Sequence, residues 1–254
     1  MTASAEGGER AWVLHRYPYR DTSLILELFT RENGRLGVVA RGGRRPRSAF
    51  AALEAGRSLW VHWRGRGDLA TLLQAEEQGE VLDFAGMKGL ILFYLNELLL
   101  RLTQRGDPLP ELFDIYEQTL QSVALSGRQI WALRRFERRL LEVLGWAPEL
   151  KVCYHCGRHL SGEDAGTWYY WPEHGVLCPD HRPAPGTIAI PAGALRWLAG
   201  DMADGPRPAW LPDLRRCLER ELRGHLSARP LESHRLLAAY LARAGQDSYQ
   251  RSKG

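Results

Sequence analysis

A chain of 254 residues with 44% hydrophobic content can bury one large core or several small ones, which excludes wholesale disorder. Its most apolar run, Gly89 to Leu100, is interrupted by Asn96 and Glu97 and is too short to span a bilayer, while Met1 to Arg10 lacks the charged-then-apolar form of a secretory leader. A soluble, cytoplasmic protein with no membrane partner is expected, and its net charge of +4 is a modest basic bias.

The first eighty residues read as strands. Ala11–His15, Ser23–Phe29, Arg35–Ala40, Ser58–Trp63 and Leu69–Ala75 are short runs of branched, aromatic and leucine residues, separated by Pro18, Asp21, Asn33-Gly34, Gly42-Gly43, Gly65 and Gly67-Asp68. Asn33-Gly34 predicts a hairpin with a type I′ turn, which needs positive φ at both central residues. Five short strands in a small domain predict a partly open Greek-key barrel, the OB-fold, with an SH3-like barrel as the alternative.

This region also holds most of the charge bias. From Arg31 to Arg66 there are nine arginines against two acids, Glu32 and Glu54. Such clustering is the footprint of a polyanion, because each cation that neutralises a phosphate releases a counterion; the plainer account is a solvated basic face. Tyr17, Trp60 and Trp63 are candidates to stack on bases, against the alternative that each is barrel core, which is the better reading for Trp60.

Beyond Glu80 the apolar period lengthens to that of helices. Leu90, Phe93, Tyr94, Leu98 and Leu102 share one face, and Leu112, Tyr116, Leu120 and Val123 another, with Pro108 and Pro110 between. A third helix, about Arg128 to Leu144, buries Ile130, Leu133, Phe136, Leu140 and Leu144. Its other side carries Arg128, Arg134, Arg135, Arg138 and Arg139, read as a solvated face in preference to a DNA contact, and Gly145 stops it. Helices are predicted again over Ala192–Leu198, Pro212–Leu226 and Ser233–Ala244, with fraying from Gly245.

Between these helices lies a metal-ligand pattern. Cys153-Tyr154-His155-Cys156 is a CxxC, and Cys178-Pro179-Asp180-His181 is a CxxH 21 residues further on. A two-residue spacer lets both ligand atoms of a pair face one ion, so Cys153, Cys156, Cys178 and His181 are the expected ligands of one structural zinc. His155, His159 and His174 compete for the fourth position, a redox or buried role for the CxxC is the alternative, and Cys217 reads as core. Four protein ligands close a site and leave no position for an activated water. No phosphate-cradling G-x-x-x-x-G-K-[ST], G-x-S-x-G elbow or H-E-x-x-H occurs, so neither catalysis nor a small-molecule substrate is expected.

Several segments in order resemble the RecO family of bacterial recombination mediators. They are Ala11 to Tyr17, Asp21 to Leu26, Phe29-Thr30, Gly34-Arg35, Val39 to Gly42, Arg44 to Ser48, Tyr94 to Leu98, Leu112-Phe113, Tyr116, Arg135 to Leu141, Leu144-Gly145, Pro148, the first cysteine pair, and Arg229 to Ser233. The resemblance implies a multidomain α+β protein: an OB-fold nucleic-acid-binding domain over 1–80, a helical domain over 81–150 and 184–254, and a zinc ribbon inserted at 151–183. It implies binding of single-stranded and double-stranded DNA, strand annealing, and work with RecR and single-stranded-DNA-binding protein in loading RecA. Arg35, Arg41, Arg44, Arg45 and Arg47 match the family's basic hairpin and are the expected phosphate contacts. Zinc-bearing members usually have a fourth cysteine where this chain has His181.

Overall fold

In the computed structural model the described residues are 7–65, 67–181, 183–202, 207–226 and 229–251, with backbone alone from 242 onward. They form two compact units, one from the chain up to Gln129 together with the chain from Arg229 on, the other from the chain between. The expected helical domain is therefore divided. The physical reason is α6 (Glu232–Arg251), which returns to lie along α1 (Met87–Leu102). The Glu97 carboxylate accepts the Ser233 backbone N–H at 2.9 Å, and the Tyr94 and His234 rings meet at 5.8 Å. The backbone of α6 is helical through Arg251, beyond the point where fraying was expected.

The first unit is built on a closed barrel of five strands, β1 (Gly7–Tyr19), β2 (Ser23–Thr30), β3 (Gly34–Ala40), β4 (Ser58–Arg64) and β5 (Ala70–Glu77), in the order β1-β2-β3-β5-β4. All neighbours are antiparallel except β3 and β5. This closure fits the OB-fold. Its interior is filled by alternate residues, among them Ala11, Val13, Leu26, Leu28, Val38, Leu59, Val61 and Trp63. The outer face of β1 and β2 is covered by α1 and α2 (Pro110–Leu125): Phe29 packs on Phe113 at 5.6 Å, and Trp12 on Tyr116 at 6.2 Å. Asn96 pins this layer by donating to the Leu14 carbonyl at 2.8 Å and accepting the Tyr116 hydroxyl at 2.5 Å.

Two local expectations change. The β2–β3 hairpin forms, but its turn spans three residues, and only Gly34 among the pair has positive φ, 63°. The Thr30 hydroxyl stabilises this longer turn, receiving the Asn33 N–H at 3.2 Å and donating to the Gly34 carbonyl at 3.0 Å. A Cβ at Gly34 would collide with the Asp107 carbonyl. Phe93 is 55% exposed, because the buried residues of α1 centre on the opposite side of that helix.

The second unit holds α3 (Gln129–Val143), a sheet of β6 (Thr167–Trp171), β7 (Gly175–Leu177) and β8 (Ile188–Pro191) ordered β7-β6-β8, then α4 (Ala192–Leu198) and α5 (Leu211–His225). The aromatic patch Trp168 to Trp171 is the central strand, with Trp168 and Tyr170 buried. The arginine side of α3 is not uniformly solvated. Arg134 is buried in an ion pair with buried Glu137 at 2.6 Å, and Arg138 pairs with Glu142 at 2.7 Å while lying over the Trp197 ring. Ile130 and Leu144 are only half-buried, whereas Ala132 and Leu141 are buried.

Candidate nucleic-acid interface and metal centre

Residues 41–57, between β3 and β4, carry the arginines on a chain of turns held by backbone hydrogen bonds. Gly43 donates to the Ala40 carbonyl at 3.2 Å, Arg45 to Gly42 at 2.9 Å and Ser48 to Arg45 at 3.1 Å. The Arg44 N–H reaches the Thr22 carbonyl at 2.8 Å, which ties this segment to the β1–β2 turn. Leu53 and Phe50 anchor it in the barrel core. These bonds and contacts brace the segment that carries the cations.

The segment borders a polar cleft of about 530 Å³ at one end of the barrel, lined by Tyr19, Arg20, Thr22, Ser23, Arg41 and Arg45, with Leu69, Ala70 and Thr71 from the start of β5. Guanidinium groups beside hydroxyls suit a phosphate, which accepts hydrogen bonds from both. The location, at the β1–β2 and β4–β5 loops, is where OB-folds receive oligonucleotides.

The five expected arginines divide. Arg41 and Arg45 line the cleft. Arg44 is exposed and its guanidinium lies 3.4 Å from the Arg20 carbonyl and 3.5 Å from that of Asp21, at the cleft's edge. Arg47 is exposed with a left-handed φ of 63°. None of these four makes an ion pair among the described residues. Arg35 departs from the expectation. Its side chain is largely covered, donates to the Thr103 carbonyl at 2.8 Å and lies 3.5 Å from the buried Glu27 carboxylate, so it stitches β3 to the helices. Burial holds its guanidinium below the ordinary arginine pKa.

Of the other arginines in the basic segment, Arg31 is neutralised by Asp114 at 3.0 Å and by Glu32 at 2.8 Å, and Arg66 lies outside the described residues. Sequence reasoning missed Arg20, which lies beyond the arginine cluster, and Arg105, which comes from the α1–α2 loop. Arg105 pairs with Glu27 and donates to the Asp68 carbonyl at 2.8 Å, over a glycine, Gly37, whose Cβ would press on its guanidinium. The aromatics also sort themselves. Trp63 is core at 4% exposure, and Tyr17 is 41% exposed on the outer wall. Trp60, expected in the core, is also 41% exposed, because it alternates with core Leu59 and Val61.

In the second unit Cys153, Cys156, Cys178 and His181 converge, with one ligand atom of each within 4.8 Å of all the others. Cys156 and Cys178 sulfurs are 3.8 Å apart, and His181 Nδ1 lies 3.1 Å from Cys178 Sγ and 3.8 Å from Cys153 Sγ. Two thiolates on one tetrahedral zinc at about 2.3 Å each stand about 3.8 Å apart, so the residues fit that ion. Gly157, with φ of 73°, turns the first knuckle and donates to the Cys153 carbonyl at 2.9 Å. Arg158 ties the two knuckles by pairing with Asp180 at 2.6 Å.

The thiols are tuned in opposite senses. Burial raises Cys153, but hydrogen bonds from the Cys178, Cys156 and His155 backbones outweigh it and bring it to about 7. Burial pushes Cys178 up to about 11. Without a cation they resist ionising together, which is the electrostatic need a divalent metal meets. The four residues could hold one metal ion. Of the competing histidines, His155 instead sets its ring 4.5 Å from that of His181, and His174 lies against Trp171.

Two family models match: Recombination protein O N terminal over residues 6–78, which is the barrel, and Recombination protein O C terminal over residues 87–235. The chain belongs to the RecO family. It is 57% identical over 240 residues to the DNA repair protein RecO of Acidithiobacillus ferrooxidans, covering 94% of each chain. With its namesake from Alkalilimnicola ehrlichii it shares 43% identity over 92% of this chain and 91% of the relative. For that of Nitrosococcus oceani the figures are 42%, 89% and 91%. Among the described residues no helix is long and apolar enough to cross a membrane.

Proposed function

We propose that this chain is a non-catalytic DNA-binding mediator of repair and recombination, which binds single-stranded and double-stranded DNA and anneals complementary strands. With RecR it would help load RecA onto strands coated by single-stranded-DNA-binding protein. The carrying observation is the set of exposed arginines without carboxylate partners, Arg41, Arg44, Arg45 and Arg47, on a braced segment beside the barrel cleft. Family membership supports the repair role. Annealing needs no bond chemistry. A cationic surface that holds two strands screens their repulsion, and base pairing then supplies the driving force.

One structural zinc, held by Cys153, Cys156, Cys178 and His181, belongs to this reading, and it would brace the second unit without activating water. An X-ray absorption spectrum is expected to give three sulfurs and one nitrogen at the metal, and an exchangeable oxygen in its place would reject the closed site.

The deciding experiment is strand annealing by the purified chain across a salt series, with and without single-stranded-DNA-binding protein. Annealing that weakens steeply between low and physiological salt is expected. Salt-independent annealing, or none, would favour the second reading, a protein-interaction scaffold in which DNA contact is incidental; the exposed apolar residues Phe93, Leu125 and Tyr240 outside the cleft support that alternative.

A further inference from the structure

The register of β1 breaks between Val13 and His15: Val13 opposes Leu28, His15 opposes Glu27, and Leu14 is the extra residue. The bulge reverses the parity of the strand. Before it, the odd-numbered Ala11 and Val13 point into the barrel core. After it, the odd-numbered His15 and Tyr17 stand exposed on the outer wall, opposite Glu27 and Ile25, and Tyr19 follows them to the cleft. Without the bulge all three rings would fall in register with the core. Bulges of this kind recur where a strand must re-aim side chains beside a binding site.

The three residues follow one another at alternate positions on one side of β1. His15 and Tyr17 are stacked at 4.2 Å with planes 9° apart, and Tyr19 carries the Arg20 guanidinium 5.1 Å over its ring. Alternate strand residues are about 6.6 Å apart, so the three backbone positions span some 13 Å of the wall. This stretch of wall leads from the Arg105–Glu27 ion pair to Arg20, Arg41 and Arg45 in the cleft. Helices cover the neighbouring Trp12 and Phe29 but leave this stretch of wall open.

We propose that His15, Tyr17 and Tyr19 form a stacking track for the unpaired bases of a single strand whose phosphates are held by the cleft arginines. The proposal rests on the DNA-binding reading above and gives that site a preference: exposed base faces, which a duplex conceals, are what the rings recognise. The cationic cleft and the aromatic side chains beside it complement the anionic backbone and π-faces of a single strand. An apolar peptide would need the rings without the flanking arginines.

The test separates bases from phosphates. Fluorescence anisotropy of the whole chain is measured with short oligo-dT and with an abasic strand of equal length, at one salt concentration. The unaltered chain is expected to bind oligo-dT more tightly than the abasic strand. Tyr17→Ala should lower oligo-dT affinity about 5- to 100-fold, leave abasic affinity unchanged, and be rescued by Tyr17→Trp. His15→Ala, at an exposed position that packs into no core, gives a second variant and a smaller loss of the same kind. Equal affinity for the two strands in the unaltered chain would overturn the track, as would an equal loss on both, or no loss, in Tyr17→Ala. Abasic binding that falls in Arg41→Ala while Tyr17→Ala changes nothing would sink the track and leave the cationic cleft standing. Failure of the unaltered chain to bind either strand would remove both.

Discussion

The barrel and the metal-ligand segment hold their shapes by different means. The barrel closes on itself, so each strand has a partner on both sides and its interior is a continuous set of apolar side chains. Residues 151–181 have a three-stranded sheet on one side, but the knuckles themselves are turns joined by single bridges, Val152 to His159 and Cys153 to Val176. Their side chains are mostly exposed, and four ligand atoms meet where an apolar core would otherwise be. One region is stabilised by burial, while the other gathers four donors that could hold a metal ion. The difference teaches where charge can sit: the closed barrel carries arginines without carboxylate partners on its exposed segment, whereas the knuckles bring their donor atoms together in one cluster.

The largest effect that could break this contrast is metal removal. Structural zinc binds knuckle peptides with an apparent free energy of about 10–16 kcal/mol, so chelation, or Cys178→Ser, should unfold the segment around the knuckles. Amide hydrogen exchange is expected to rise over β6 and β7 and stay low over β1 to β3. Equal loss of protection in both regions would refute the division. Next in size is Asn96→Ala. It removes the bonds from Asn96 to the Leu14 carbonyl and from the Tyr116 hydroxyl to Asn96 in a buried layer, at about 1–3 kcal/mol in all. Denaturant unfolding followed with and without chelator should show this loss in the barrel unit whether or not metal is bound.

Much of this was legible because the chain punctuates itself. Strand boundaries follow Asn33-Gly34, Gly42-Gly43 and Gly65, where the backbone must turn, and the clustering of Cys153, Cys156, Cys178 and His181 follows their paired knuckle spacing. What remained hidden depends on partners distant in sequence or on backbone defects. Arg35 looks like its basic neighbours until Glu27 and the Thr103 carbonyl appear beside it. Trp60 looks like core by composition, and only the alternation with Leu59 and Val61 turns it outward. The bulge at Leu14 leaves no mark in the apolar pattern, so the wall position of Tyr17 had no sequence signal. In α3, Arg134 reads as solvated until Glu137 is seen buried against it.

That division among arginines sharpens the comparison at intermediate effect size. Arg41→Ala and Arg45→Ala should leave thermal stability unchanged and flatten the dependence of log Kobs on log salt by about 0.7 per lost phosphate contact to single strands. Arg35→Ala should do the reverse. It leaves the Thr103 carbonyl without its donor and weakens the hold on Glu27, lowering the melting temperature while the salt slope stays put. A lowered slope in Arg35→Ala would return that residue to the interface.

The smallest expected effect sets one carboxylate of each unit against the other. Hydrogen bonding from the Arg31 guanidinium holds Asp114 below the usual carboxylate range, and the Ser161 backbone N–H, then Arg158, does so for Asp164. A carboxyl with a depressed folded-state pKa favours the native chain above its unfolded value, near 3.9, and the benefit is lost as pH falls through the lowered folded value. Asp114 is 44% exposed and solvent screens its pair, whereas Asp164 is 10% exposed and accepts the Ser161 N–H at 2.7 Å. Asp164→Asn should therefore lower the denaturation midpoint more than Asp114→Asn at pH 7, and both differences from the unaltered chain should shrink as pH falls through the lowered folded-state values. A difference that grew toward acid would mean the carboxylate is held neutral in the folded chain, and the knuckle brace through Arg158 would have to be redrawn.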